Sequence, residues 1–247
     1  MTVRRLAEKQ PSNFAFTQKN LDWAKAQIAK YPPGRQRSAV IPILWRAQEQ
    51  AGGWLPQKAI EAVAEMLGMP KIRVLEVATF YTMFNLDPVG RFHLQLCGTT
   101  PCMLRGSEGL KKVLRRMIGE QDHVTDDNMF SWTEVECLGG CVNAPVVQIN
   151  ADYYEDLTPE TLTRIINTLA TGKMPKAGPQ IDRQQSAPVG GPTTLTDPSI
   201  YRTNGGPPPA GASHDDDDAK KLGEAANIHE AAVPKPPVAD SSDPRHS

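Results

Sequence analysis

The chain has 247 residues, with 27 Lys and Arg set against 28 Asp and Glu for a formal net charge of −1. That balance carries no field strong enough to point to nucleic acid or a lipid surface, and no apolar run approaches the ~20 residues of a membrane span. Residues 1–17 hold Arg4, Arg5, Glu8, Lys9 and Pro11 without the apolar stretch of a secretory signal.

After an arm over residues 1–16, residues 17–85 read as a helical region. Thr17 is placed to cap a helix with Leu21, Ala24, Ile28 and Tyr31 on one stripe, stopped by Pro32-Pro33. Ser38 is placed to cap a second, Ala39 to Gln50, whose Val40, Ile43, Leu44 and Ala47 follow amphipathic spacing up to Gly52-Gly53. A third runs from about Pro56 to Leu67, with Gly68 as its stop. A fourth starts near Pro70 and carries Val77–Phe84, in which Phe80, Tyr81, Met83 and Phe84 are expected as a core stripe.

From Arg91 the texture changes, and residues 86–175 form the next expected domain. Phe92, Leu94 and Leu96 alternate with His93 and Gln95, a half-buried strand that delivers Cys97 at its end, with His93 on the polar side. Ser107 to Ile118 reads as a helix and Phe130 to Glu136 as a strand ending at Cys137. Val146–Ile149 and Tyr153–Glu155 read as a hairpin, and a last helix is capped by Thr158 with Pro159 at its first position and Gly172 at its end. The order strand, helix, strand, hairpin, helix calls for a small mixed sheet with helices packed on it.

Residues 176–247 are different material, with 11 prolines, Gly190-Gly191, Gly205-Gly206 and the acidic run Asp215–Asp218. Apart from a weak helical hint at Leu222–Ile228 the apolar pattern is absent, so this tail is expected to be disordered unless extended across a partner. The acidic run lacks the spaced ligands of a metal site and reads as a solvated stretch.

The four cysteines form two pairs, Cys97-x4-Cys102 and Cys137-x3-Cys141, separated by 34 residues. Two disulfides would suit a small secreted domain, which this chain does not resemble. A structural zinc site tolerates such spacings, although x2 is commoner. A 2Fe–2S cluster would take two thiolates per iron, and an x4 pair already occurs in ferredoxin-type centres. Gly98, Gly139 and Gly140 would let backbone N–H donors approach its sulfurs, and Thr99 and Thr100 add hydroxyls. Spacing alone leaves the cluster ahead of zinc without deciding between them. The five histidines, His93, His123, His214, His229 and His246, read as surface groups rather than ligands.

The stretch Asp127-Asn128-Met129-Phe130-Ser131, followed by Cys137-Leu138-Gly139-Gly140-Cys141-Val142-Asn143-Ala144-Pro145, resembles the signature of one family. Val74–Phe84 and Cys97-Gly98-Thr99-Thr100-Pro101-Cys102 carry the same likeness, which runs from about Phe14 to Pro175 and stops before the tail. The family is the small 2Fe–2S subunit of the NADH dehydrogenase module of respiratory complex I (NADH:quinone oxidoreductase). The resemblance implies a thioredoxin-like 2Fe–2S ferredoxin domain, so the chain is expected to be α/β, an N-terminal helical bundle followed by that domain, with an extended C-terminal tail that is read from composition alone. It also implies an electron-transfer subunit of an oxidoreductase, with no complete active site of its own. One 2Fe–2S cluster would sit on Cys97 and Cys102 (one iron) and Cys137 and Cys141 (the other), with Gly98, Thr99, Gly139 and Gly140 around the sulfurs.

FMN and NADH are then expected on a flavoprotein partner, docked by the helical region, and the second partner expected is a neighbouring iron–sulfur subunit. No GxGxxG or Walker-type loop appears in this chain. With family-like sequence beginning by about residue 14, no transit peptide of usual length is expected. The location expected is the bacterial inner membrane, peripheral on its cytoplasmic side, with the mitochondrial matrix side as second choice. Similar subunits of NAD-linked hydrogenases and formate dehydrogenases, a free 2Fe–2S ferredoxin and a zinc-stabilised interaction module are the alternatives. A thioredoxin-type oxidoreductase would need a CxxC, which is absent.

Overall fold

The computed structural model describes residues 4–191 and 193–197. Four helices come first: α1 Gln18–Ile28, α2 Val40–Gln50, α3 Gln57–Leu67 and α4 Lys71–Phe80. Their inner faces make one core, in which Ile43, Leu44, Ala47, Ile60, Val63 and Val74 are fully buried or nearly so. The helix starts follow local chemistry. Asn20 N–H donates to Thr17 Oγ1 at 3.3 Å, and Gly68 closes α3 in the left-handed conformation at φ 57°. Ser38 does not cap α2, because a 3-10 turn over Gln36–Ala39 runs straight into that helix and Ala39 holds the capping position.

The arm before α1 is part of this bundle. Leu6, Phe14 and Phe16 pack against its core, and Arg4 donates to the carbonyls of Tyr81 at 3.0 Å, Thr79 at 3.3 Å and Phe84. The expected aromatic stripe divides. Phe84 is fully buried and Met83 half-buried, but Tyr81 is exposed and Phe80 is 77% exposed. The reason is that α4 ends at Phe80 and Tyr81 is extended (φ −85°, ψ 116°), so helical spacing no longer applies beyond it. Val74 and Ala78 take the inner face instead.

The second half is a five-stranded sheet of order β2-β1-β3-β4-β5. Its strands are β1 Phe92–Cys97, β2 Phe130–Val135, β3 Val147–Ile149, β4 Asp152–Glu155 and β5 Gly178–Pro179. The β1–β2 and β4–β5 pairs are parallel; β1–β3 and β3–β4 are antiparallel. Helices α5 Thr100–Leu104 and α6 Ser107–Met117 connect β1 to β2, and α7 Pro159–Ala170 follows β4. Leu94, Leu96, Trp132, Val147 and Tyr154 of the sheet meet Leu110 and Leu114 of α6 and Leu162, Ile165 and Leu169 of α7 in a core of their own. Thr158 and Thr161 bond each other's backbone N–H at 3.2 and 2.8 Å to open α7. The sheet outlasts the boundary expected at residue 175, since β5 pairs Tyr154 with Gly178 and Glu155 with Pro179. The tail beyond residue 197, with the acidic run, the Leu222–Ile228 hint and three of the histidines, lies outside the described residues.

His93 is not a surface group: it is only 9% exposed. The chain between α4 and β1 crosses the face of β1 that alternation assigned to solvent. At Gly90 the backbone approaches so closely that a Cβ would lie 2.4 Å from Phe130 C, and Gly90 N–H donates to Ser131 Oγ at 2.8 Å. The same hydroxyl lies 2.8 Å from His93 Nδ1. Burial, opposed only by the Asp122 charge, lowers the His93 pKa to about 4. An unfolded chain takes up this proton near pH 6.5 while the folded one resists it to about 4. The His93 contribution is therefore complete above pH 6.5 and is lost as pH falls toward 4, by about 3 kcal/mol in all. We expect urea-unfolding stability to fall more steeply between pH 7 and 4.5 in wild type than in His93→Gln; parallel profiles would refute this.

Candidate metal centre

Because β1 and β2 are adjacent and parallel, with Cys97 in register with Val135, their C-terminal ends deliver both cysteine pairs to one edge of the sheet. Cys97 is the last residue of β1, and Cys102 lies inside the five-residue helix α5. Cys137 follows β2 by two residues, and Cys141 opens a 3-10 turn over Cys141–Asn143. Cys97 and Cys102 are each 1% exposed and pack with Ala144 and Leu138. Cys137 and Cys141 are exposed, with sulfurs 3.6 Å apart. All four thiols are free.

The sulfurs feel one another across the pairs. Burial disfavours ionising Cys97, but the Thr99 hydroxyl and the backbone of Leu138 and Thr99 outweigh it, leaving its pKa below the ordinary thiol value. Burial, then the hydrogen bond with Cys97, pushes Cys102 up to about 12, with the Cys141 charge adding to the rise. The Cys137 sulfur raises Cys141 first, with Cys97 adding to it. Burial and then the Cys137 and Cys97 charges raise Tyr153. With Cys97 favoured and Cys102 and Cys141 disfavoured as thiolates, four thiolates here call for compensating positive charge, which a metal centre supplies.

The residues expected around the sulfurs divide. Thr99 Oγ1 is 3.4 Å from Cys97 Sγ, and Gly139, at φ 81°, donates its N–H to Cys137 Sγ at 3.4 Å. Gly98 spends its N–H on Val135 O at 3.2 Å; its missing Cβ makes room for the Glu134 side chain, whose Oε1 would lie 1.9 Å away. Gly140 packs against Val146, which a Cβ would meet at 3.0 Å. Leu138 was not foreseen: its backbone N–H reaches Cys97, and its carbonyl accepts from Tyr153 Oη at 2.7 Å, tying the loop between the exposed cysteines to β4. Its place directly after Cys137, inside the second cysteine pair, is the signal that could have flagged it.

Among the described residues no three His, Cys, Asp or Glu side chains gather round one point. Two close pairs, each with N–H or hydroxyl donors on its sulfurs, fit a binuclear cluster with two thiolates per iron.

The model of the thioredoxin-like 2Fe-2S ferredoxin family matches residues 24–170. One subunit of the NADH-quinone oxidoreductase of Rhizobium meliloti is 58% identical over 204 residues, spanning 80% of this chain and 74% of that one. Its counterpart in the NADH-quinone oxidoreductase of Rickettsia bellii is 60% identical over 159 residues, 64% of this chain and 95% of the other. Among solved structures, an NAD+-reducing NiFe hydrogenase in its H2-reduced state superposes with a TM-score of 0.47 at 19% identity, over 54% of this chain and 22% of that one.

Proposed function

The chain belongs to the thioredoxin-like 2Fe-2S ferredoxin family, and on that premise we propose that Cys97 and Cys102 bind one iron of its 2Fe–2S cluster and Cys137 and Cys141 the other. It is an electron-transfer subunit of NADH:quinone oxidoreductase, complex I. The observation that supports the ligand assignment is the meeting of two cysteine pairs at the ends of adjacent parallel strands. When bound, the cluster accepts and returns one electron at a time. The chain holds it by four thiolates, aims Thr99, Leu138 and Gly139 donors at the sulfurs, and buries one pair away from water while leaving the other at the surface.

The chain assembles with other subunits, and we assign the FMN and NADH sites to a flavoprotein partner. The exposed pair, flanked in sequence by Val142 (69% exposed), would face it. We assign to residues 17–85 the role of docking module and to 86–175, with β5 beyond it, that of cluster domain. Among the described residues no helix is long and apolar enough to cross a membrane; we place the chain on the peripheral arm at the cytoplasmic side. Anaerobic reduction with dithionite should give a rhombic S = 1/2 EPR signal with two irons and two sulfides per chain. A colourless, EPR-silent protein holding zinc would overturn the assignment.

A further inference from the structure

The turn that Cys141 opens is held from a part of the chain outside the residues matched by the family model. Asn143, 2% exposed, donates its side-chain amide to Glu155 Oε2 at 2.5 Å and to Gln185 O at 3.0 Å. Its Oδ1 accepts from Arg183 Nη1. The same guanidinium nitrogen donates to Val142 O at 3.3 Å, and Arg183 Nε lies 3.6 Å from Asp156 Oδ2, both side chains only 8% exposed. Asp156 in turn donates its N–H to Asn143 O at 2.7 Å. β5 and the bond from Gln180 N to Glu155 O at 3.0 Å bring residue 183 back to this place.

A guanidinium this buried must be paired and hydrogen-bonded, and removing one partner leaves the other charge uncompensated. The stretch that supplies it is rich in Pro, Gly and Gln and has no apolar stripe of its own to drive it onto the domain. We propose that residues 178–185 form a strap, and that its Arg183 is a positioning residue. It fixes the Cys141–Asn143 turn, and hence the place of Cys141 beside Cys137, and sets a buried positive charge next to the cluster loop. The proposal rests on the four-cysteine ligand assignment. The charge facing Arg183 is Asp156, on which Glu155 and Arg105 also act. Loss of Arg183 leaves the loop more negative, which disfavours adding an electron to the cluster.

The test uses the full chain with its cluster, following iron release to a chelator and the midpoint potential by EPR-monitored titration. Arg183→Met should release iron several-fold faster than wild type and show a more negative potential. Arg183→Lys, which keeps the charge but not the fork, should return the potential toward wild type while release stays fast. A chain ended after residue 197 should match wild type in both; one ended after residue 177 should behave like Arg183→Met. Wild-type release and potential in Arg183→Met, or in the chain ended after 177, would overturn the proposal. Should Arg183→Met not accumulate folded, Arg183→Lys carries the test, and release at the wild-type rate would overturn it. A wild-type chain lacking the 2Fe–2S signal would instead sink the ligand assignment, before any Arg183 variant is read.

Discussion

Cys97→Ala is expected to give a folded chain that retains almost no iron. Altering a residue that only supports a ligand already weakens metal binding by about 10–100-fold, so losing a ligand should weaken it by about 100-fold or more. Alanine is the informative replacement because serine offers an oxygen in the same place. Cys97 is the residue where the sheet and the centre meet. It ends β1, its N–H bonds Val146 O at 3.2 Å, and its sulfur is the one to which Thr99 and Leu138 donors point. The metal-free protein should lose only about 1 kcal/mol, the cost of a small cavity beside Cys102, Ala144 and Leu138. Cys141→Ala, on the exposed turn, should lose the cluster equally while leaving metal-free stability unchanged. Iron and sulfide counts, EPR and urea unfolding of the metal-free proteins check all of this. Two irons retained in Cys97→Ala would remove it from the ligand set.

Much of this was legible because the signals are local and strong. Thr17 and Thr158 cap the helices they were expected to cap, Gly68 ends the third, and the alternation of Phe92, Leu94 and Leu96 marks the strand that ends at Cys97. What was missed depends on contacts between distant segments. His93 alternates like a solvent-facing residue, and only the passage of the chain near Gly90 over that face buries it. Phe80 keeps helical spacing with the core but lies where α4 stops. Gly98 looks like a donor to sulfur, yet parallel pairing claims its N–H for Val135.

At the centre itself the four cysteines could be picked out from residue type and spacing, but their division into a buried and an exposed pair could not. Thr99-Thr100-Pro101 carries the start signal of a helix, a hydroxyl residue followed by Pro at N1 or N2. Five residues are too few for periodicity to show it, and so the helix that holds Cys102 is not among the expected elements. Arg183 gave no signal at all, being one basic residue in a stretch whose composition reads as linker. Its partners Asp156 and Asn143 stand 27 and 40 residues earlier, and only the fold of β4 and β5 brings them together.

Trp132→Ala should destabilise the chain by about 3–5 kcal/mol from the cavity alone. A further ~1 kcal/mol should come from the Gly119 carbonyl, which accepts from Trp132 Nε1 at 2.8 Å and would be left without that donor. β2 is an edge strand of the sheet, yet Trp132 is fully buried, because residues 119–125 cover the edge: Asp122 N–H bonds Trp132 O and Thr125 N–H bonds Phe130 O, each at 2.9 Å. The ring thus joins that cover to the core under α6 and α7 and steadies the strand leading to Cys137. Trp132→Phe should recover most of the volume but not the hydrogen bond, so its loss should fall clearly below that of the alanine variant. The sulfurs are not touched by either change, so the EPR signal of the folded fraction should keep its wild-type shape while the urea midpoint drops. A midpoint shift worth less than about 1 kcal/mol in Trp132→Ala would mean that β2 is held by its pairing with β1 alone.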